Sequence, residues 1–208
     1  MLKTELKAIA QFFSRNRNEA AVICFAVLFL ILYKYHFAWN EWLSSLIYYG
    51  ALPLIVIVLL LRKNPLDFGF RLGNVRVWGL HVAVTCLVAT PILYAVSRIP
   101  AFQSYYRIEQ FNFSIYALES IASLFALEFL FRGFLLFGLK EKLQEGSIFV
   151  QMVPFALVHF GKPELETVST IVTGIYFGYV AYRGNSFWPA FIIHLFINIF
   201  FVACVNII

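Results

Sequence analysis

Residues 116–139 read YALESIASLFALEFLFRGFLLFGL, an apolar run with Glu128 and Arg132 in its middle. A charged side chain at the centre of a bilayer costs roughly 2.5–3.5 kcal/mol on insertion scales, so two of them would strand the segment unless they meet each other. At a spacing of four they share one helical face, with the acid N-terminal to the base, the better orientation for an ion pair. Two readings follow. One is a structural salt bridge that locks this helix to its neighbours. The other is a functional carboxylate whose charge and position are set by the arginine, and it is preferred because two further polar groupings also lie in apolar surroundings.

The whole chain matches that setting. Its 208 residues are 62% hydrophobic and only 13% charged, with a mean hydropathy of +0.81. Soluble domains run at about 45–50% apolar and 25% charged. The expected fold is all-α, a polytopic transmembrane bundle of about seven apolar segments forming one membrane domain over residues 1–208. The net charge of +5 does not point to nucleic acid, because the basic residues are spread over segment ends. There they act as topology signals and lipid headgroup contacts. Cys24, Cys86 and Cys204 stand singly in apolar runs and read as small packing residues that say nothing about redox compartment.

Residues 1–19 are polar and basic, with Leu2, Leu6, Ile9, Ala10, Phe12 and Phe13 spaced as one face of a helix. This predicts an amphipathic segment lying on the membrane. Ala20 to Tyr35 is the first apolar run, and it reads as a retained span rather than a signal peptide, since no small-x-small cleavage site follows. An aromatic belt with His36, Trp39 and Trp42 comes next. Spans are then expected at 42–61, 79–97 (with His81 in a structural role near its start) and 116–139, and the long aromatic stretch 99–114 reads as a loop. Ile148 to Phe160 is short against the ~20 residues a bilayer needs, so it is either buried among other helices or re-entrant. Thr167 to Tyr182 carries Gly174 and Gly178, a small-xxx-small pair that permits close helix contact. A last helix carries His194 and Asn198.

Alternating the loops gives an orientation. With the N-terminus inside, the inner segments hold Lys3, Lys7, Arg15, Arg17, Arg62, Lys63, Arg71, Arg76, Lys140, Lys142 and Arg183, and the outer ones only Lys34, Arg98, Arg107 and Lys162. That asymmetry predicts a cytoplasmic N-terminus; the expected location is an integral position in a bacterial inner membrane.

Three polar clusters therefore lie inside apolar sequence: Glu128 with Arg132, His159, and His194 with Asn198. Hydrocarbon offers them no partner, so they are expected to face the bundle interior and one another. A carboxylate beside an imidazole can polarise a water for general-base attack. An imidazole and an amide projecting together can donate to a developing oxyanion. Together these are the parts for hydrolysing a peptide bond in a membrane, with no metal, cofactor or covalent intermediate.

The order Glu128-x-x-x-Arg132, Phe155-x-x-x-His159, His194-x-x-x-Asn198 resembles the CPBP family of membrane glutamic proteases, which includes CAAX prenyl endopeptidases and bacteriocin-processing proteins. Phe131-Arg132-Gly133-Phe134 and Trp188-Pro189-Ala190 fit the same context, and the resemblance covers about residues 116–200. It implies that a glutamate and His159 activate water while His194 and Asn198 hold the oxyanion. It also implies a membrane-anchored protein or peptide substrate. One position departs from the pattern: the family carries two adjacent glutamates, and the first, usually credited with catalysis, is Leu127 here. Neighbouring helical residues point ~100° apart, so Glu128 does not simply occupy that place.

Three repairs stay open: Glu128 as base after a slight helix rotation, Glu166 as a carboxylate near His159, or a catalytically dead relative. Acids after Pro163 also suit the first turn of a helix, which is the plain reading of Glu166. Outside proteolysis, the same buried residues suit a proton-coupled transporter, or an inactive scaffold or immunity protein. Asp67 is the only aspartate, and neither His-Glu-x-x-His nor Gly-x-Ser-x-Gly occurs, which sets the aspartyl, zinc and serine mechanisms of those types aside. Oligomeric state is not encoded in any of these features.

Overall fold

A segment in hydrocarbon has to satisfy its own backbone polar groups, and a helix does so within one stretch of chain. The computed structural model describes residues 1–207, and every regular element among them is helical. In order these are α1 (Leu2–Arg15), α2 (Arg17–Tyr35), α3 (Glu41–Leu60), α4 (Val75–Val96) and α5 (Pro100–Tyr106). They continue with α6 (Phe113–Leu143), α7 (Gly146–Leu157), α8 (Glu164–Gly184) and α9 (Trp188–Asn206). Asparagine marks several starts: the side chains of Asn40, Asn74 and Asn112 accept the backbone N–H of Leu43, Val77 and Ile115, which caps α3, α4 and α6.

Among the described residues five helices, α2, α3, α4, α6 and α9, are long and apolar enough to cross a membrane, which makes this an integral membrane bundle. The expectation of about seven apolar segments is thus too high. The twelve residues of α7 extend about 18 Å at 1.5 Å per residue, short of a ~30 Å hydrocarbon core. The 21-residue α8 has the length, but Glu164, Glu166 and Arg183 sit at its two ends and threonines and glycines dilute its apolar character. The stretch 99–114 is also more than a loop, because Pro100 opens the short helix α5 within it.

The bundle is built around α6. Between Phe129 and Leu136 its side chains are buried on every face, Arg132 included, as expected of a helix that is apolar all round. Over Phe129–Leu135 its hydrogen bonds widen to i→i+5, a local form that recurs at functional sites. The helices α2, α3, α7 and α9 pack against α6, α8 packs on α7 and α9, and α4 lies outside against α8 and α9. No residue of α4 is buried. The segment α1 buries nothing either, and Leu2, Leu6, Ile9, Phe12 and Phe13 all stay exposed on it.

The linker between α3 and α4 is tied to the α8–α9 turn through backbone. Phe187 N–H donates to the Gly69 carbonyl at 3.1 Å and Asn74 N–H to the Gly184 carbonyl at 2.8 Å. Trp188 Nε1 adds a bond to the Phe70 carbonyl at 2.9 Å. Gly73 has φ +62° in this tie, and a Cβ there would overlap the Gly184 carbonyl oxygen. Left-handed backbone costs an L-residue roughly 1–2 kcal/mol, and forcing atoms into a packed site costs about 1–3 kcal/mol more. Gly73→Ala is therefore expected to lower stability by about 2–4 kcal/mol, read by thermal unfolding in detergent micelles, while Gly79→Ala, whose Cβ meets nothing within 4 Å, leaves it unchanged or slightly raised.

Candidate active site

The central helix carries its acid and base away from the protein surface. Glu128 and Arg132 are both 0% exposed, and Arg132 Nη1 donates to Glu128 Oε1 at 3.0 Å. The guanidinium lies face-on to the Phe155 ring, 3.9 Å from its centre, with Phe177 at 5.4 Å. Such cation–π contact is worth about 2 kcal/mol or more when desolvated. Arg132 Nη2 also comes within 3.5 Å of the Gly174 carbonyl on α8.

Glu128 meets a second partner on the same oxygen. His194 Nδ1 lies 2.6 Å from Oε1, which joins α9 to α6 at the level of the ion pair. A carboxylate held by an arginine only accepts, so Nδ1 carries the proton in this bond. The other oxygen, Oε2, has no hydrogen-bond partner among the described residues, and the same holds for Arg132 Nε and Gln151 Oε1.

His159 follows the end of α7, where Gly161 (φ +96°) and Pro163 turn the chain into α8. Its Nδ1 donates to the Phe155 carbonyl at 2.7 Å, so its ring bond goes there and not to Glu128. Thr167 Oγ1 fixes the backbone by donating to the His159 carbonyl at 2.9 Å. The two imidazoles stack with centres 6.4 Å apart and planes 29° from parallel.

Beside His194 opens a cavity of about 650 Å³ whose walls come from α4, α5, α8 and α9. His194, Asn198 and Glu166 line it; Glu128, Arg132 and His159 do not. Asn198 Oδ1 accepts the Tyr116 hydroxyl at 2.8 Å, which leaves its Nδ2–H as the remaining donor.

Glu166 reaches neither histidine. The Tyr106 hydroxyl lies 2.8 and 2.6 Å from its two oxygens, and Lys162 Nζ donates to Oε1 at 2.8 Å. Burial, and after it the Glu166 charge, push the Tyr106 hydroxyl well above the usual phenol range, so it stays a donor. The Glu166 carboxylate is therefore engaged by Tyr106 and Lys162 and makes no hydrogen bond to His159 among the described residues. Tyr106 carries no helix-periodic or motif signal, and Tyr116 reads only as the polar edge of a span, so neither was marked as a site residue.

These positions have an independent counterpart. Residues 109–200 match the family model of the Rce1-like type II CAAX prenyl endopeptidases. The matched region is less than half of the chain and contains Glu128, Arg132, His159, Glu166, His194 and Asn198. No curated protein matches the chain, and no solved structure does. Among the described residues no group of three or more His, Cys, Asp or Glu is placed to hold a metal ion.

Removing one partner of a buried ion pair leaves an uncompensated charge, at a cost of about 3–5 kcal/mol, whereas an apolar pair of similar volume is often neutral. Arg132→Leu is accordingly expected to destabilise the protein by about that amount. The double variant Glu128→Leu/Arg132→Leu should recover most of the loss, with both read by chemical unfolding in micelles.

Proposed function

We propose that the chain is an intramembrane endopeptidase, cleaving a membrane-anchored protein or peptide by water attack. The observation that carries this reading is the 2.6 Å bond from His194 Nδ1 to the buried Glu128 carboxylate, made by a histidine that also lines the cavity. In this scheme the roles differ from those implied by the family pattern. With Leu127 where the family's first glutamate stands, and Glu128 0% exposed, Glu128 does not touch water. It orients His194 and stabilises the imidazolium that forms, the part a buried carboxylate plays in hydrolytic triads.

His194 Nε2 then takes the proton of the attacking water as its oxygen bonds the scissile carbon, Asn198 Nδ2–H donates to the oxyanion, and the imidazolium returns the proton to the leaving amine as the C–N bond breaks. His159, whose Nδ1–H is spent on Phe155, is held neutral, since burial and after it the Lys162 charge pull its imidazole down to about 3; its Nε2 is an acceptor that orients and not a second base. At 6.4 Å between ring centres the imidazoles are too far apart to bond directly. Lys162 and Glu166 sit on the cavity wall as polar substrate contacts. The N-terminus is cytoplasmic in this reading, on the strength of the basic-residue asymmetry, and the membrane a bacterial inner membrane.

A second reading is supported by the same burial: a non-catalytic membrane scaffold in which Glu128 serves packing alone. The name of the matched family suggests the first probe, a prenylated peptide ending in a CAAX sequence, with an unprenylated apolar membrane peptide as the second. In proteoliposomes His194→Ala and Glu128→Gln are expected to slow cleavage by about 10²–10⁴, and Asn198→Ala by about 10²–10³. Full cleavage by a folded His194→Ala or Glu128→Gln protein would end the mechanism. No cleavage by the parent, but cleavage by Leu127→Glu, would favour the scaffold.

A further inference from the structure

Gln151 has no part in the scheme so far, yet it is a fully buried polar side chain one helix away from Arg132. Its Nε2 donates to the Ile148 carbonyl at 2.8 Å, which is local to α7, and to the Gly174 carbonyl of α8 at 2.9 Å. That second acceptor is the carbonyl that Arg132 Nη2 approaches only to 3.5 Å. A carbonyl in an apolar interior draws any donor within reach, and a charged donor makes a bond roughly twice as strong as a neutral one. The two bonds use different nitrogens, Nη1 on Glu128 and Nη2 toward Gly174, so the issue is position: with the amide gone, the rigid guanidinium can close the 3.5 Å gap by moving toward α8, which draws Nη1 away from Glu128 Oε1.

We infer that Gln151 is a positioning residue: by occupying the Gly174 carbonyl it keeps Arg132 on Glu128, and through Glu128 it holds the His194 ring in its Nδ1–H form. This rests on the reading of His194 as the base. The glycines of α8 show how closely the amide is seated. A Cβ at Gly178 would stand 2.5 Å from Gln151 Nε2. One at Gly174 would stand 3.0 Å from Phe155, the ring that faces the guanidinium. The small-xxx-small pair of this helix therefore makes room for a polar group and for the aromatic floor of Arg132, beyond bringing two backbones together. A simple tie between α7 and α8 would account for the Gln151–Gly174 bond, but it would have no influence on the tautomer of a histidine on α9. That difference makes the inference testable.

The measurement is the imidazole ¹⁵N spectrum of His194 in the full chain in nanodiscs, which reports the ring nitrogen carrying the proton. Gln151→Met keeps the volume and removes both N–H groups. The parent is expected to show Nδ1–H alone, and Gln151→Met a mixture with Nε2–H, with kcat on the peptide probe about tenfold lower and KM within about twofold. Gly178→Ala presses on the amide from the opposite helix and should produce the same spectral change with Gln151 intact. It decides the question should Gln151→Met fail to fold. A His194 ring that stays wholly Nδ1–H in the folded variants overturns the inference, whatever the cleavage rate. A tautomer shift as stated, in a protein whose parent cleaves neither probe, sinks the proposed activity and leaves the positioning role standing.

Discussion

An arginine enclosed by hydrocarbon has to bring its counter-charge with it, and most of this bundle follows from that demand on Arg132. Its carboxylate comes from one turn earlier on the same helix, its aromatic faces from α7 and α8, and its carbonyl from α8. A helix that carries such a pair in its middle cannot lie at the lipid boundary, so α6 takes the centre and α2, α3, α7 and α9 pack around it. A buried ion pair seldom adds net stability over an apolar pair of the same size. Its worth here is geometric, since it fixes one carboxylate oxygen at the point where α9 presents a histidine.

The site is consequently divided in two. A dry half, made of Gln151, Arg132 and Glu128, has no access to the cavity, and a lined half, with His194, Asn198 and Glu166, has no second acid in contact with an imidazole. The single bond between His194 and Glu128 joins them. In the proposed mechanism the order of the buried half reaches the cavity through this one ring, and a ring whose tautomer is set in advance would need no reorganisation when a proton moves.

Helical character, the interior position of Glu128 and Arg132, and the shared face of His194 and Asn198 were legible in the sequence, because hydropathy and a spacing of four act within one segment. What sequence could not supply is the rotation of one helix against another. Glu128 was paired in expectation with His159, the nearer imidazole along the chain, but α9 packs on α6 with His194 foremost while His159 turns to its own Phe155 carbonyl. Glu166 was legible as an acid in a first helical turn; its partner Tyr106 was not, since it comes from a stretch without a periodic signal. The excess of expected spans has a similar origin, because an apolar run and a bilayer-length helix differ only in extent, as α7 shows.

The two ends of the cavity helices are held by different kinds of bond. Where α9 begins, main-chain groups of the α3–α4 linker grip the turn before it. Beneath α5, closure depends on side chains: Tyr106 on Glu166, and Asn206 on the Tyr106 carbonyl at 3.0 Å. Main-chain ties need no particular side chain to donate or accept, proline and the tightly packed Gly73 apart, whereas side-chain ties vanish with a single replacement. Sequence drift can thus reshape the cavity wall that α5 supplies by single side-chain replacements, while the start of α9 keeps main-chain bonds that no single side chain provides.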